Sequence, residues 1–88
     1  MSDYSINFKP SVEKDLRKVT YSHVSIILKR IERLVFDPFP AQATKLTGTI
    51  KTYRVRIRDY RIIYEVDKAK KKITVLYVRH RRDVYRDL

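Results

Sequence analysis

Tyr53-Arg54-Val55-Arg56-Ile57-Arg58-Asp59-Tyr60-Arg61-Ile62-Ile63-Tyr64-Glu65-Val66 is the segment on which the fold turns. Tyr53, Val55 and Ile57 fall on one side of an extended chain and Arg54, Arg56 and Arg58 on the other, the alternation of a strand with one face on a core. Arg58-Asp59 reads as a tight turn, and Tyr60 to Val66 as a second, more fully buried strand. Downstream, Asp67 to Lys72 is a polar turn. Lys72 to Arg79 is a third strand, with Ile73, Val75 and Tyr77 alternating against Thr74, Leu76 and Val78. Three strands joined by two short turns make an antiparallel meander.

Upstream, the period changes from strand to helix. Thr20 to Phe36 places Val24, Ile27, Leu28, Ile31, Leu34 and Val35 at helical intervals, with Lys29, Arg30, Glu32 and Arg33 opposite. Thr20 or Ser22 is expected to cap its start, and Asp37-Pro38-Phe39-Pro40 ends it, because a residue before proline is driven out of helical geometry. A shorter helix runs from Ser11 to about Val19, with Val12, Asp15-Leu16 and Val19 as its inner stripe and Pro10 in its first turn. Tyr4 to Lys9 alternates apolar and polar as a half-buried strand, and Ala41 to Lys51, holding the only glycine, Gly48, is a loop. The expected architecture is α+β: an N-terminal strand, a helical hairpin, then the three-stranded meander packed on the helices and a short C-terminal turn from Arg81 to Leu88. At 88 residues it is expected to be one domain spanning 1–88.

Charge is concentrated in the second half. The net charge is +11; residues 1–44 carry seven basic and five acidic side chains, residues 45–88 fourteen and five. A basic surface attracts nucleic acid, an anionic membrane or an acidic protein segment, and charge alone does not separate these. No apolar run approaches the roughly 20 residues needed to cross a bilayer, so no membrane partner is expected. The chain lacks cysteine, has two isolated histidines, and its acidic residues are few and scattered; no metal, cofactor or disulfide is expected, and an intracellular, cytoplasmic location is the natural setting.

The residues mixed with the arginines narrow the choice. A charged exposed sheet face is ordinary, and so is a lysine-rich turn such as Lys68 to Lys72. Arg54, Arg56 and Arg58, however, have no acid interleaved, and Arg61 is expected to join them from the neighbouring strand. Like charges so close repel unless an anion sits among them. Cleaving an RNA strand takes a base to remove the 2′-hydroxyl proton, donors to hold charge on the phosphate oxygens, and an acid to protonate the leaving 5′ oxygen. Arginine suits the second task only, since it keeps its proton. His80 is the nearby group matched to proton transfer near neutrality, while Tyr85 serves as a base only where cations favour its phenolate. The residues alone leave a second reading open for both, in which they anchor the C-terminal turn on the sheet. His23 reads as a surface residue of the long helix, and the tyrosines as mostly sheet and core aromatics.

Phe8-Lys9-Pro10-Ser11-Val12-Glu13-Lys14-Asp15-Leu16, Lys45-Leu46-Thr47-Gly48, Tyr53-Arg54-Val55-Arg56, Asp59-Tyr60-Arg61-Ile62-Ile63-Tyr64 and Arg79-His80-Arg81-Arg82-Asp83-Val84-Tyr85-Arg86, in this order, resemble the RelE/ParE superfamily of toxin–antitoxin toxins. The resemblance implies a growth-arresting toxin held inactive by a cognate antitoxin in a hetero-oligomer. Its RelE branch implies an mRNA endoribonuclease, acting in the ribosomal A site by 2′-hydroxyl attack that leaves a 2′,3′-cyclic phosphate. By position, Arg54 and Arg56 stand where the family places substrate-binding basic residues, with Arg58 beside them. Arg61 and Arg81 stand where it places transition-state arginines, and Tyr85 where it places the catalytic tyrosine. His80 resembles a histidine near this point in other branches, so proton transfer is divided between His80 and Tyr85. Two departures are plain: Arg58 takes a turn position where glycine is common, and Arg81 to Tyr85 is shorter than in some members. The alternatives within the superfamily are a ParE-like inhibitor of DNA gyrase without ribonuclease activity, and a degenerate toxin that only binds its antitoxin.

Overall fold

The computed structural model describes residues 4–80. Strand β1 (Ser5–Phe8) is followed by helices α1 (Pro10–Arg17) and α2 (Tyr21–Arg33), then strands β2 (Thr44–Lys45), β3 (Thr52–Ile57), β4 (Tyr60–Asp67) and β5 (Lys72–His80). One five-stranded sheet runs β1-β5-β4-β3-β2, with β1 parallel to β5 and every other pair antiparallel. This is the α+β arrangement read from the sequence. The expected C-terminal turn from Arg81 to Leu88 lies outside the described residues.

The core forms where the helical and strand periods meet. Val12 of α1, Ile27 and Ile31 of α2 and Leu34 just after it pack on Val55, Ile57, Tyr60, Ile62, Tyr64, Val66, Ile73, Val75 and Val78 of the sheet. Both helices therefore lie on one face, and the alternate residues Arg54, Arg56, Arg61 and Ile63 project from the other. No helix among the described residues is long and apolar enough to cross a membrane.

Four local expectations are corrected. Thr20 occupies the N-cap position of α2, but its side chain makes no capping hydrogen bond, and Ser22 lies inside the helix. The loop from Ala41 to Lys51 contains β2, whose Thr44 and Lys45 pair with Arg54 and Tyr53; two residues are too few to show a period. Strand β4 alternates buried and half-buried along its whole length, so Ile63 faces outward. The largest change is in β5. Ile63 pairs with Tyr77 but Tyr64 pairs with Val75, which leaves Leu76 as an extra residue in a β-bulge. The bulge reverses the phase, so Val78 is buried and Tyr77 turns to the outer face.

Helix α1 explains how the bulged end of β5 is stabilised. Beyond Val75 the strand has lost its β1 neighbour, and α1 runs along that edge instead. The Ser11 hydroxyl donates to the Leu76 carbonyl at 2.7 Å, and the Asp15 carboxylate accepts the Val78 N–H at 3.0 Å. Asp15, one turn from Ser11, is buried because it stands in for a missing strand.

At the other end of the core the Tyr64 hydroxyl donates to the Pro38 carbonyl at 2.8 Å. Burial, reinforced by Tyr53 and Asp37 nearby, pushes its phenol above the ordinary tyrosine range. The folded chain thus keeps a proton that the unfolded chain releases above about pH 10, so the stability this group contributes is complete below that pH and lost as pH rises further. Tyr64→Phe is expected to cost about 1 kcal/mol near neutrality through the lost hydrogen bond. It should also flatten the alkaline decline, as measured by urea unfolding at a series of pH values. An alkaline limb identical to that of the parent would show that Tyr64 does not carry it.

Candidate nucleic-acid interface

The face of the sheet away from the helices carries two cross-strand rows. In the first, Arg56 of β3 stands opposite Arg61 of β4, and Arg61 opposite Arg79 of β5. In the second, Arg54 stands opposite Ile63 and Ile63 opposite Tyr77. Directly opposed side chains have Cβ atoms roughly 5 Å apart, so the first row sets three arginine stems side by side across three strands. Such pairs destabilise a sheet when nothing negative lies between them.

Among the described residues, acids do little to neutralise this face. Arg79 reaches the buried carboxylate of Asp15 at 3.4 Å, and its guanidinium lies 4.8 Å from the centre of the Tyr77 ring. Arg54, Arg56, Arg58 and Arg61 have no ion pair with any described residue. Arg58 sits in the two-residue turn between Ile57 and Tyr60, beside the Arg56–Arg61 pair, with φ at 55°. That left-handed backbone favours glycine and costs an arginine about 1 kcal/mol. A charge is kept at the hairpin tip in spite of the strain.

The model for the family described as ParE toxin of type II toxin–antitoxin system, parDE, matches residues 6–85. The chain belongs to the RelE/ParE superfamily of toxins. RelE/ParE relatives of known structure share the whole fold. The chain is similar to the toxin in the archaeal RelE–RelB complex from Pyrococcus horikoshii OT3, with 31% identity over 92% of this chain and 97% of that one, at a TM-score of 0.80. It is also similar to a chain of the RelB–RelE antitoxin–toxin complex of Methanococcus jannaschii, with 26% identity over 93% of this chain and 98% of that one and a TM-score of 0.77. The isolated Escherichia coli RelE toxin, at 23% identity over 97% of this chain and 99% of that one, shares the fold with a TM-score of 0.75. No curated protein sequence matches the chain.

In this RelE/ParE toxin the arginines expected from the sequence come together only in part with the other candidates. Arg54, Arg56 and Arg61 share the outer face and Arg58 adjoins it, as the alternation requires. His80 does not join them. It stands opposite buried Tyr60, and their rings meet edge-on at 5.0 Å, so His80 belongs to the helix-bearing side. Tyr60 in turn meets the His23 ring edge-on at 5.8 Å. His80, Tyr60 and His23 border a cleft of about 350 Å³ with Lys18, Thr20 and Arg79. The physical reason is the period of two: from inward Tyr60 and outward Arg61, their partners His80 and Arg79 must fall on opposite faces. His23, read as a surface residue, is half-buried there, and its Nδ1 is buried with no hydrogen-bond partner. Arg81 and Tyr85 lie outside the described residues.

Two residues of the outer face escape the sequence reading. Tyr77 and Arg79 reach it only because of the bulge at Leu76. A signal was present: continued alternation from Ile73 and Val75 would aim Arg79 into the core, and an unpaired buried guanidinium is too costly to tolerate. The phase therefore had to reverse between Val75 and Arg79.

Proposed function

We propose that this toxin is an mRNA endoribonuclease of the RelE kind, cutting ribosome-bound mRNA in the A site and held inactive by a cognate antitoxin. The observation that carries this reading is the Arg56–Arg61–Arg79 row with Arg54 beside it, a fixed cationic surface on rigid strands. Guanidinium groups bind phosphate oxygens bidentately and keep their charge through the reaction. Their mutual repulsion is relieved when the scissile phosphate, and still more its transition state, lies among them. The 2′ oxygen attacks phosphorus as its proton leaves, and the bond to the 5′ oxygen breaks as that oxygen gains a proton. The products are a 2′,3′-cyclic phosphate and a 5′-hydroxyl. Arg61 and Arg81 are assigned to the phosphate and Arg54, Arg56 and Arg58 to the RNA strand. Proton transfer is divided between Tyr85 and His80, one taking the 2′-hydroxyl proton and the other supplying the 5′ oxygen's, with His80 beside Arg79 at the border of the helix-side cleft.

The antitoxin is proposed as an acidic or amphipathic segment that occludes the basic face, as both archaeal relatives were crystallised with RelB. Cleavage of translating mRNA places the action in the cytoplasm. Because guanidinium groups carry the charge stabilisation, cleavage is expected to persist in chelator. The match to the ParE family model favours a second reading, a protein-binding gyrase inhibitor. Mapping transcript 5′ ends after brief induction separates the two. Breaks inside translated regions are the expected result; intact transcripts with accumulating double-strand DNA breaks would reject the ribonuclease and favour the inhibitor.

A further inference from the structure

Resting on the ribonuclease reading, we infer that Tyr77 is a stacking platform for a base of the bound RNA, set on the arginine face by the bulge in β5. The strand places this ring where an RNA-binding sheet needs one. Tyr77 shares its cross-strand row with Arg54 and Ile63, and Arg79, the next outward residue of β5, completes the Arg56–Arg61–Arg79 row beside it. A strand held by those arginines passes its bases over the adjoining row.

The ring is also exposed and held. Tyr77 keeps 40% of its surface open, although it lies within a paired stretch of the sheet. The Arg79 guanidinium lies over one face of the ring, 4.8 Å from its centre, and is itself held by Asp15 at 3.4 Å, so a stacking base is assigned to the other face. A single exposed aromatic is by itself ordinary. Here a bulge that interrupts the β4–β5 ladder is what exposes it, and bulges of this kind commonly re-aim a side chain beside an active site. Aromatic rings stack on any base, and adjacent arginines supply the backbone contacts, the combination used for single-stranded nucleic acid. Base stacking on such a ring is lost about tenfold or more in affinity when the ring is removed.

The test uses the full-length toxin on ribosomes programmed with a defined mRNA, with cleavage followed at a range of toxin concentrations. Tyr77→Leu keeps an apolar side chain against Ile63 and is expected to raise the half-saturating concentration about tenfold or more, with the maximal rate little changed. Tyr77→Phe and Tyr77→Trp keep an aromatic face and are expected to remain within about twofold of the parent or to bind tighter, in contrast to Tyr77→Leu. Removing one base at a time from the codon should reveal one abasic position at which parent and Tyr77→Leu become equal. Parental saturation by Tyr77→Leu while Arg61→Gln is inactive would overturn the stacking role and leave the ribonuclease standing. Loss of antitoxin affinity in Tyr77→Leu with RNA cleavage intact would equally overturn it, assigning the ring to the protein partner. A parent toxin that cuts no mRNA would remove the reading beneath both.

Discussion

Arg61→Gln should reduce mRNA cleavage by about a hundredfold or more while leaving the thermal midpoint unchanged or slightly raised. The two effects have one cause. Arg61 is the centre of the row, opposed by Arg56 on one side and Arg79 on the other, so in the free toxin it feels two like charges. Removing its charge relieves both contacts, each a few tenths of a kcal/mol, while glutamine keeps the stem that lies on the sheet. On the proposed ribonuclease reading the same charge would face the developing phosphorane, where a fixed donor is worth about 3 kcal/mol. Single-turnover cleavage on programmed ribosomes and a melting curve check both halves. Cleavage within a few-fold of the parent would remove Arg61 from the reaction; a large fall in melting temperature would show the residue to be structural.

Asp15→Ala is expected to be the most damaging change to a polar side chain of the described residues, at about 2–3 kcal/mol. The carboxylate is 7% exposed, accepts the Val78 N–H at 3.0 Å and pairs with Arg79 at 3.4 Å. Alanine leaves a buried N–H without its acceptor and the Arg79 guanidinium without its carboxylate partner. For a chain of this length that is a large part of the total, and a fall of roughly 10–20 °C in melting temperature follows. Asp15→Asn retains an oxygen for Val78 and should lose only about half as much. Equal stability of the parent and the alanine variant would mean that α1 does not secure the β5 edge. Activity should fall with stability, because the same edge holds Arg79 in the row.

The alternation of Tyr53 to Val66 was enough to set the β3–β4 hairpin and to place Arg54, Arg56 and Arg61 on one face, since a strand with one buried side admits a single register. The long helix was equally legible from Ile27, Ile31 and Leu34. Leu76 was not, because Val75, Leu76, Tyr77 and Val78 are all apolar and give no phase of their own. The side of His80 depended on that bulge, and so did the membership of Tyr77 and Arg79 in the face. Asp15 was read with the apolar stripe of α1 for its position; its acceptor role becomes visible only once the helix lies along β5.

The way α1 borders β5 also limits how the toxin can be silenced. With the Ser11 hydroxyl on the Leu76 carbonyl and the Asp15 carboxylate on the Val78 N–H, the far margin of β5 has no main-chain groups left at those positions for a foreign peptide to zip onto. At the opposite border stands β2, two residues long, an unfinished seam that an incoming strand can lengthen. An inhibitor peptide that knits itself to this sheet by backbone pairing is therefore kept off β5 at Leu76 and Val78, which leaves the outer margins of β2 and β1 as the places to enter.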